Sequence, residues 1–278
     1  MTSSPDPQSI ESSPFDPDRP GSDAIYFLPL GGSGEIGMNL NLYGHAGKWL
    51  MVDLGISFGD ETMPGVDVIM PDPTFIRDRR DDLVGIVLTH AHEDHLGAVQ
   101  YLWPELRCPV YATPFTASVL RAKLLERNLA GKVEIVEVPL SGRFTAGPFE
   151  VELITVTHSV PEPNALVLRT PLGAVLHTGD WKLDPDPVVG APTDEAALMR
   201  LGGEGVLAMV CDSTNAMVPG TSGSEAAVRE SLANLRTFPF VSEKERSGEL
   251  TLHGAHFAIA DGILRQLDED SGAFTPAE

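Results

Sequence analysis

Three histidines and an aspartate fall within six residues, as His90, His92, Asp94 and His95. They follow the apolar run Leu83-Val84-Gly85-Ile86-Val87-Leu88, which reads as a buried strand. The ligand-type side chains therefore stand in the loop where a strand ends, and Leu96 to Leu102 reads as the helix that follows. Imidazole and carboxylate suit a zinc-like ion. Four donors in one short loop do not easily surround a single ion, because neighbouring side chains point apart. They can serve two ions, with His90 and His92 turned one way and Asp94 and His95 the other. The rival reading is a polar loop with incidental histidines. It is disfavoured because four of the eight histidines lie here or at His158, a later position built to join them.

The same pattern recurs along the chain. Asn39 to His45 and Trp49 to Leu54 read as a hairpin that ends in Asp53-Leu54-Gly55. A carboxylate at the end of a buried strand is costly unless it is paired. Asp53 is expected to hydrogen-bond the His-rich loop and fix its shape, with direct ligation as the alternative. Phe149 to Val156 is a strand running into Thr157-His158-Ser159. Ala165 to Arg169 and Ala174 to Leu176 flank the turn Thr170-Pro171-Leu172-Gly173, and the second arm ends in His177-Thr178-Gly179-Asp180. Val206 to Val210 is a strand ending at Cys211-Asp212-Ser213-Thr214-Asn215. Strand ends thus deliver Asp53, the His90 to His95 group, His158, Asp180 and Asp212. One shared site at the edge of a sheet explains them together.

The remaining segments punctuate this plan. Residues 1–24 are rich in Ser, Pro and Asp and are expected to be a disordered leader. Ile25 to Leu30 reads as a strand before the Gly-rich turn Gly31 to Asn39, which lacks the Lys-Ser/Thr of a Walker motif and is expected to be a tight turn. Ser57 to Pro73 is an acidic loop placed to act as a lid or rim. Pro109 to Ala112 and Val133 to Val138 are strand-like, and Pro114 to Leu129 reads as a helix. Ser222-Gly223-Ser224-Glu225 is a capping box opening a helix to about Leu235.

Composition excludes several classes. At 278 residues with 42% hydrophobic content the chain can bury a sizeable core. No apolar run reaches membrane-spanning length and no signal peptide opens the chain. Cys108 and Cys211, both in strand-like apolar settings, are expected to be buried reduced thiols, which fits the cytoplasm. A net charge of -21 argues against a broad basic surface for nucleic acid. It leaves room for a metal-lined groove, because bound divalent ions are the largest local charges in such a site.

The series His90-x-His92-x-Asp94-His95, then His158, then Asp180, with Asp53 as an early strand-end aspartate, resembles the ligand pattern of the metallo-β-lactamase superfamily. Gly31-Gly32-Ser33-Gly34-Glu35-Ile36-Gly37-Met38-Asn39, Thr89 to Gly97, Val156 to Ser159, His177 to Asp180 and Asp212 to Asn215 resemble its ribonuclease J family, in the β-CASP nuclease branch. The likeness covers about residues 25–235, leaving 236–278 as an unmatched tail.

The resemblance implies an α/β fold of the αββα four-layer sandwich type, here C-terminally incomplete, and two zinc ions. One would take His90, His92 and His158, the other Asp94 and His95, with Asp180 bridging. Asp94 and Asp180 become the catalytic carboxylates, and Asp212 matches the acidic residue of the first β-CASP motif. The family's inserted β-CASP domain, which holds the RNA end, its later histidine ligand and a further C-terminal domain do not fit in the 43 residues after Leu235. In His253-Gly254-Ala255-His256 the expected reading is an exposed loop histidine, the commoner state, with His256 as a stand-in for that ligand the alternative. His177 is a general-acid option, against a structural strand-end histidine. The expected activity is metal-dependent hydrolysis of RNA phosphodiesters, impaired by the short length. The alternatives are a small-substrate hydrolase of the glyoxalase II or lactonase type and a non-catalytic metal-binding remnant.

Overall fold

A computed structural model describes residues 19–182, 184–214, 236, 239–248, 255–258, 263–268 and 273–276. The chain opens with β1 (Tyr26–Gly31), β2 (Leu40–His45) and β3 (Lys48–Val52), an antiparallel meander. The β2–β3 connection is the dipeptide Ala46-Gly47, and both residues have positive φ, 47° and 76°. That is the backbone a two-residue hairpin needs to match the strand twist. A small hairpin, β4 (Ser57–Phe58) and β5 (Val68–Ile69), stands where the acidic lid or rim loop was expected. Then come α1 (Thr74–Arg77), β6 (Leu83–Val87), α2 (Glu93–Leu96), α3 (Val99–Leu106), β7 (Val110–Ala112), α4 (Pro114–Glu126) and β8 (Ile135–Glu137). The second half supplies β9 (Arg143–Ala146), β10 (Phe149–Thr155), β11 (Asn164–Thr170), β12 (Gly173–His177), α5 (Glu195–Glu204) and β13 (Ala208–Val210). Last are α6 (Pro239–Ser247) and a three-stranded antiparallel sheet, β14 (Ala255–Ala258), β15 (Ile263–Asp268) and β16 (Ala273–Pro276).

Two sheets carry the fold. The first has the order β1-β2-β3-β6-β7-β8 and the second β13-β12-β11-β10-β9. Tyr43, Leu50, Val52 and Val87 of the first pack against Phe149, Val151, Leu153, Leu166 and Leu168 of the second, so the sheets lie face to face. The outer face of the first sheet, with Leu42, Trp49, Met51 and Ile86, is covered by Ile76, Val99, Leu120 and Leu124 from α1, α3 and α4. Ile154, Ala165 and Val167 on the outer face of the second meet Leu201 of α5. Helix, sheet, sheet and helix make the expected αββα sandwich. Every residue of β2 is buried, as a strand covered on both faces should be.

Strand direction gathers the functional ends. β3, β6, β7 and β8 run parallel. In the second sheet β10 and β12 are each antiparallel to β11, and β13 is parallel to β12, so β10, β12 and β13 also share one direction. The C-terminal ends of β3, β6, β10, β12 and β13 therefore carry the polar residues singled out in the sequence.

Three expectations need correction. Residues 20–24, placed in the leader, hydrogen-bond to the meander: the Gly21 and Pro20 carbonyls accept the Ala46 and Gly47 amides, and Ala24 O pairs with His45 Nδ1 at 3.0 Å. The rest of the leader through residue 18 lies outside the described residues, as do Asn215 and the capping-box helix. Cys108 is buried, with its thiol pushed up to about 12 by burial, but Cys211 is exposed. The reason is position. Among the described residues β13 is the outermost strand of its sheet, and Leu207 and Met209 are 61% and 57% exposed. Finally, β9 is a strand that the sequence pattern did not announce, a short edge element paired to β10.

Candidate metal centre

The loop after β6 is held by backbone bonds from two other segments. Leu54 and Ile56 amides donate to the carbonyls of His95 and Glu93, at 2.7 and 2.9 Å. Asn39 donates its amide to Asp94 O at 2.9 Å, and its own carbonyl accepts the Gly55 amide at 2.9 Å. Gly55 is obligatory at this crossing, because a Cβ there would lie 1.6 Å from the Asp94 carbonyl oxygen. The Gly-rich turn and the Asp53-Leu54-Gly55 segment thus mould the ligand loop.

His90, His92, His158 and Asp180 each offer a ligand atom, and these atoms all lie within 4.8 Å of one another. Asp94, His95 and Asp180 form a second such group, so Asp180 belongs to both. His92 Nδ1 stands 3.0 Å from His90 Nε2 and 3.1 Å from His158 Nε2. Asp180 Oδ2 is 3.6 Å from His158 Nε2, and Asp180 Oδ1 is 3.3 Å from His95 Nε2. Asp94 Oδ2 is 3.4 Å from the same nitrogen. Borderline divalent ions bind imidazole and carboxylate at about 2.0–2.2 Å, which sets tetrahedral ligand atoms about 3.3–3.6 Å apart. The donor types and spacings fit such ions at both groups.

Asp53 supports this cluster without joining either group. Wholly buried, with a left-handed φ of 63°, it accepts His95 Nδ1–H at 2.7 Å, the Thr89 amide at 2.8 Å and the Thr89 hydroxyl at 2.8 Å. Such a backbone costs of order 1–3 kcal/mol in a non-glycine residue and persists where the surroundings over-determine it. The bond to Nδ1 fixes the ring so that Nε2 faces Asp94 and Asp180, the carboxylate–histidine support typical of metal ligands.

Electrostatics divide the cluster. Burial, reinforced by neighbouring imidazoles, holds His90 well below the usual histidine range and His92 at about 4. Burial also lowers His158. At His95 burial works in the same direction, but Asp53 and the hydrogen bonds to Asp180, Asp53 and Asp94 outweigh it and raise the group well above its ordinary value. Burial alone would raise Asp180; the bond from His95 and the surrounding histidines instead bring it down to about 2. Asp94 is lowered in the same way.

The other sequence-selected residues fall outside the two groups. His177 is buried, its Nδ1 pairs with the Tyr43 hydroxyl at 2.9 Å across the sheet interface, and burial holds it at about 4. This is a core histidine. The Asp212 carboxylate turns back on its own loop, accepting the Thr214 amide at 2.9 Å, while the Asp212 amide donates to Thr178 Oγ1 at 3.1 Å. His256 lies on β14, and its side chain is outside the described residues. Sequence reasoning missed Thr89 and Asn39. Thr89 Oγ1 also sits 3.0 Å from His90 Nδ1, so one hydroxyl links Asp53 to the ligand loop. Asn39 Nδ2 donates to Asp94 O at 3.1 Å and lies 3.2 Å from His95 Nε2. The Gly-rich turn that Asn39 closes was its only sequence signal.

The pattern of the metallo-β-lactamase superfamily matches residues 38–237. Ribonuclease J of Sinorhizobium meliloti is 52% identical over 215 residues, covering 76% of this chain and 38% of that protein. Ribonuclease J of Mycolicibacterium smegmatis is 43% identical over 230 residues, 82% of this chain and 40% of that one. The chain thus spans about two fifths of the length of the curated relatives it matches. A crystal structure of a protein of unknown function from Enterococcus faecalis shares the fold with a TM-score of 0.57 at 19% identity, over 77% of this chain and 58% of that one. The chain belongs to the metallo-β-lactamase superfamily and is homologous over most of its length to ribonuclease J.

Proposed function

We propose that this chain carries the metal centre of a ribonuclease J-like phosphodiester hydrolase whose substrate is RNA, with zinc as the ion. The observation that carries this reading is the pair of ligand groups sharing Asp180. The 52% identity to a ribonuclease J favours RNA over the small substrates of other hydrolases with the same fold. We assign the domain to residues 25–235, which the superfamily match over 38–237 supports. The two free thiols fit a reducing compartment, and we place the protein in the cytoplasm. Among the described residues no helix is long and apolar enough to cross a membrane.

His90, His92 and His158 would hold one ion, Asp94 and His95 the other, and Asp180 both. When bound, such ions supply Lewis-acid polarisation of a phosphoryl oxygen and acidify a water nucleophile. The chain's own residues do the rest. Asp94 and Asp180 are 33% and 29% exposed, so the cluster opens to solvent on their side. Both carboxylates are held in the ionised form. Asp94 orients the attacking water by accepting its hydrogen bond, and Asp53 keeps His95 Nε2 aimed at the reacting side.

A net charge of -21 works against phosphate binding, since affinity for nucleic acid comes largely from cationic contacts to phosphates. Positioning of the scissile group can supply about 7–11 kcal/mol of a barrier. We therefore expect the isolated chain to cleave RNA slowly and distributively. The test is to incubate pure chain with 5′-monophosphorylated single-stranded RNA and zinc or manganese. Slow cleavage abolished by His92→Ala supports the reading. Thioester or lactone hydrolysis with no RNA cleavage would replace it with a small-substrate hydrolase.

A further inference from the structure

Helix α4 touches both loops that supply the three-histidine group, through contacts the metal chemistry does not use. Thr113, at the start of α4, makes no side-chain cap; its hydroxyl turns to Thr116 Oγ1 instead. The cap comes from 47 residues away: the Glu162 carboxylate accepts the Phe115 amide at 2.8 Å. A carboxylate at a helix N-terminus is favoured by the exposed amides and the helix dipole. Glu162 stands in the loop between His158 and β11 and has a left-handed φ of 56°. Its carbonyl accepts Asn164 Nδ2 at 2.7 Å, and the Asn164 amide donates to the carbonyl of Thr89, next to His90, at 3.1 Å. About two turns further along α4, Lys123 pairs with the carboxylate of Glu93, which lies between His92 and Asp94. One rigid helix therefore grips the His158 loop at its first turn and the His92–Asp94 turn at its third.

We propose that Glu162 and Lys123 are positioning residues, and that α4 is the strut setting the His158 loop against the His90–His95 loop. This rests on reading the cluster as a metal centre. His158 reaches its partners from a loop on the second sheet, whereas His90 and His92 follow a strand of the first. One backbone bond, from the Asn164 amide to the Thr89 carbonyl, joins the two loops, and the Glu162 and Lys123 contacts of α4 add a side-chain tie to each of them. A left-handed glutamate persists only where its surroundings hold it, and here the helix end does so. Releasing Glu162 should loosen the loop four residues from His158 and spare the Asp94/His95/Asp180 group.

The test is calorimetric titration of the full chain with zinc, with thermal melting of the same samples. Wild type should bind two ions. Glu162→Ala should weaken one of them by about 10–100-fold, the range seen for supporting residues around metal ligands, and the affected ion should be the one lost in His158→Ala. Glu162→Gln, which keeps an acceptor oxygen, should recover most of that loss, and Lys123→Met should weaken the same ion. Wild-type affinity for both ions in Glu162→Ala and Lys123→Met overturns the proposal while leaving the metal centre standing. Equal loss of both ions in Glu162→Ala, with a lowered melting temperature and no recovery in Glu162→Gln, makes Glu162 a residue of the fold and also overturns it. Absence of zinc binding by wild type removes the metal reading and this proposal together.

Discussion

His90 and His95 are five residues apart in the chain, and their ring centroids are 4.0 Å apart in the fold. Both are buried, yet their protonation is pushed in opposite directions. His90 is surrounded by the imidazoles of His95, His92 and His158, and their charge adds to burial in disfavouring a cation there. His95 is enclosed by the carboxylates of Asp53, Asp94 and Asp180. Burial thus keeps one group neutral, with lone pairs available for a metal. The other is an acidic cage, and its carboxylates push the protonation of His95 upward. Asp180 couples the two by presenting one oxygen to each side. His90, His92 and His158 would hold an ion through neutral imidazoles, and Asp94, His95 and Asp180 would supply the carboxylate-rich half.

The largest break in this comparison comes from its shared member. Asp180→Ala should reduce the zinc content of purified protein from two ions to less than one, because each group loses a ligand at once. Elemental analysis showing two ions retained would mean that the groups are independent of Asp180. Next comes a matched pair. His92→Ala should remove the ion of the imidazole group and spare the other, and His95→Ala should do the reverse. Loss of both ions in either variant, read by the same analysis, would show one cooperative centre in place of two unlike halves. The smallest effect is expected at the support. Asp53→Ala should weaken the ion on the His95 side by about 10–100-fold and leave most metal bound. It should also lower the unfolding free energy by about 1–3 kcal/mol, the cost of leaving buried donors unsatisfied, measured by denaturant titration. Complete metal loss in that variant would make Asp53 a ligand.

Much of the four-layer fold was legible because its strands are apolar runs bounded by turns. The β2–β3 and β11–β12 hairpins fall within a residue or two of their expected places. The short edge strand β9 was not legible, since Arg143-Phe144-Thr145-Ala146 carries too brief a pattern to stand out from a turn. Cys211 was misjudged for a related reason. An apolar strand reads as buried, but β13 has a neighbour on one side only among the described residues. The capping of α4 by Glu162 was equally out of reach, because nothing local marks a partner 47 residues away.

The sequence by itself determined which chemical groups stand at the strand ends of the candidate centre and their order along the chain. Apolar strands that end in His, Asp or Thr announce their polar ends locally, and hydrophobic periodicity is a local property. Tertiary structure decided the role of each group. Asp53, Asp180 and Asp212 all follow strands and look alike in one dimension. Parallel pairing of β3 with β6 sets Asp53 against Thr89 and His95 as a support. The face-to-face packing of the two sheets brings Asp180 between the histidines, and Asp212 is left bonded to its own loop. A carboxylate's function here depends on which neighbours share its low-dielectric surroundings, and only the packing of one sheet on the other supplies those neighbours.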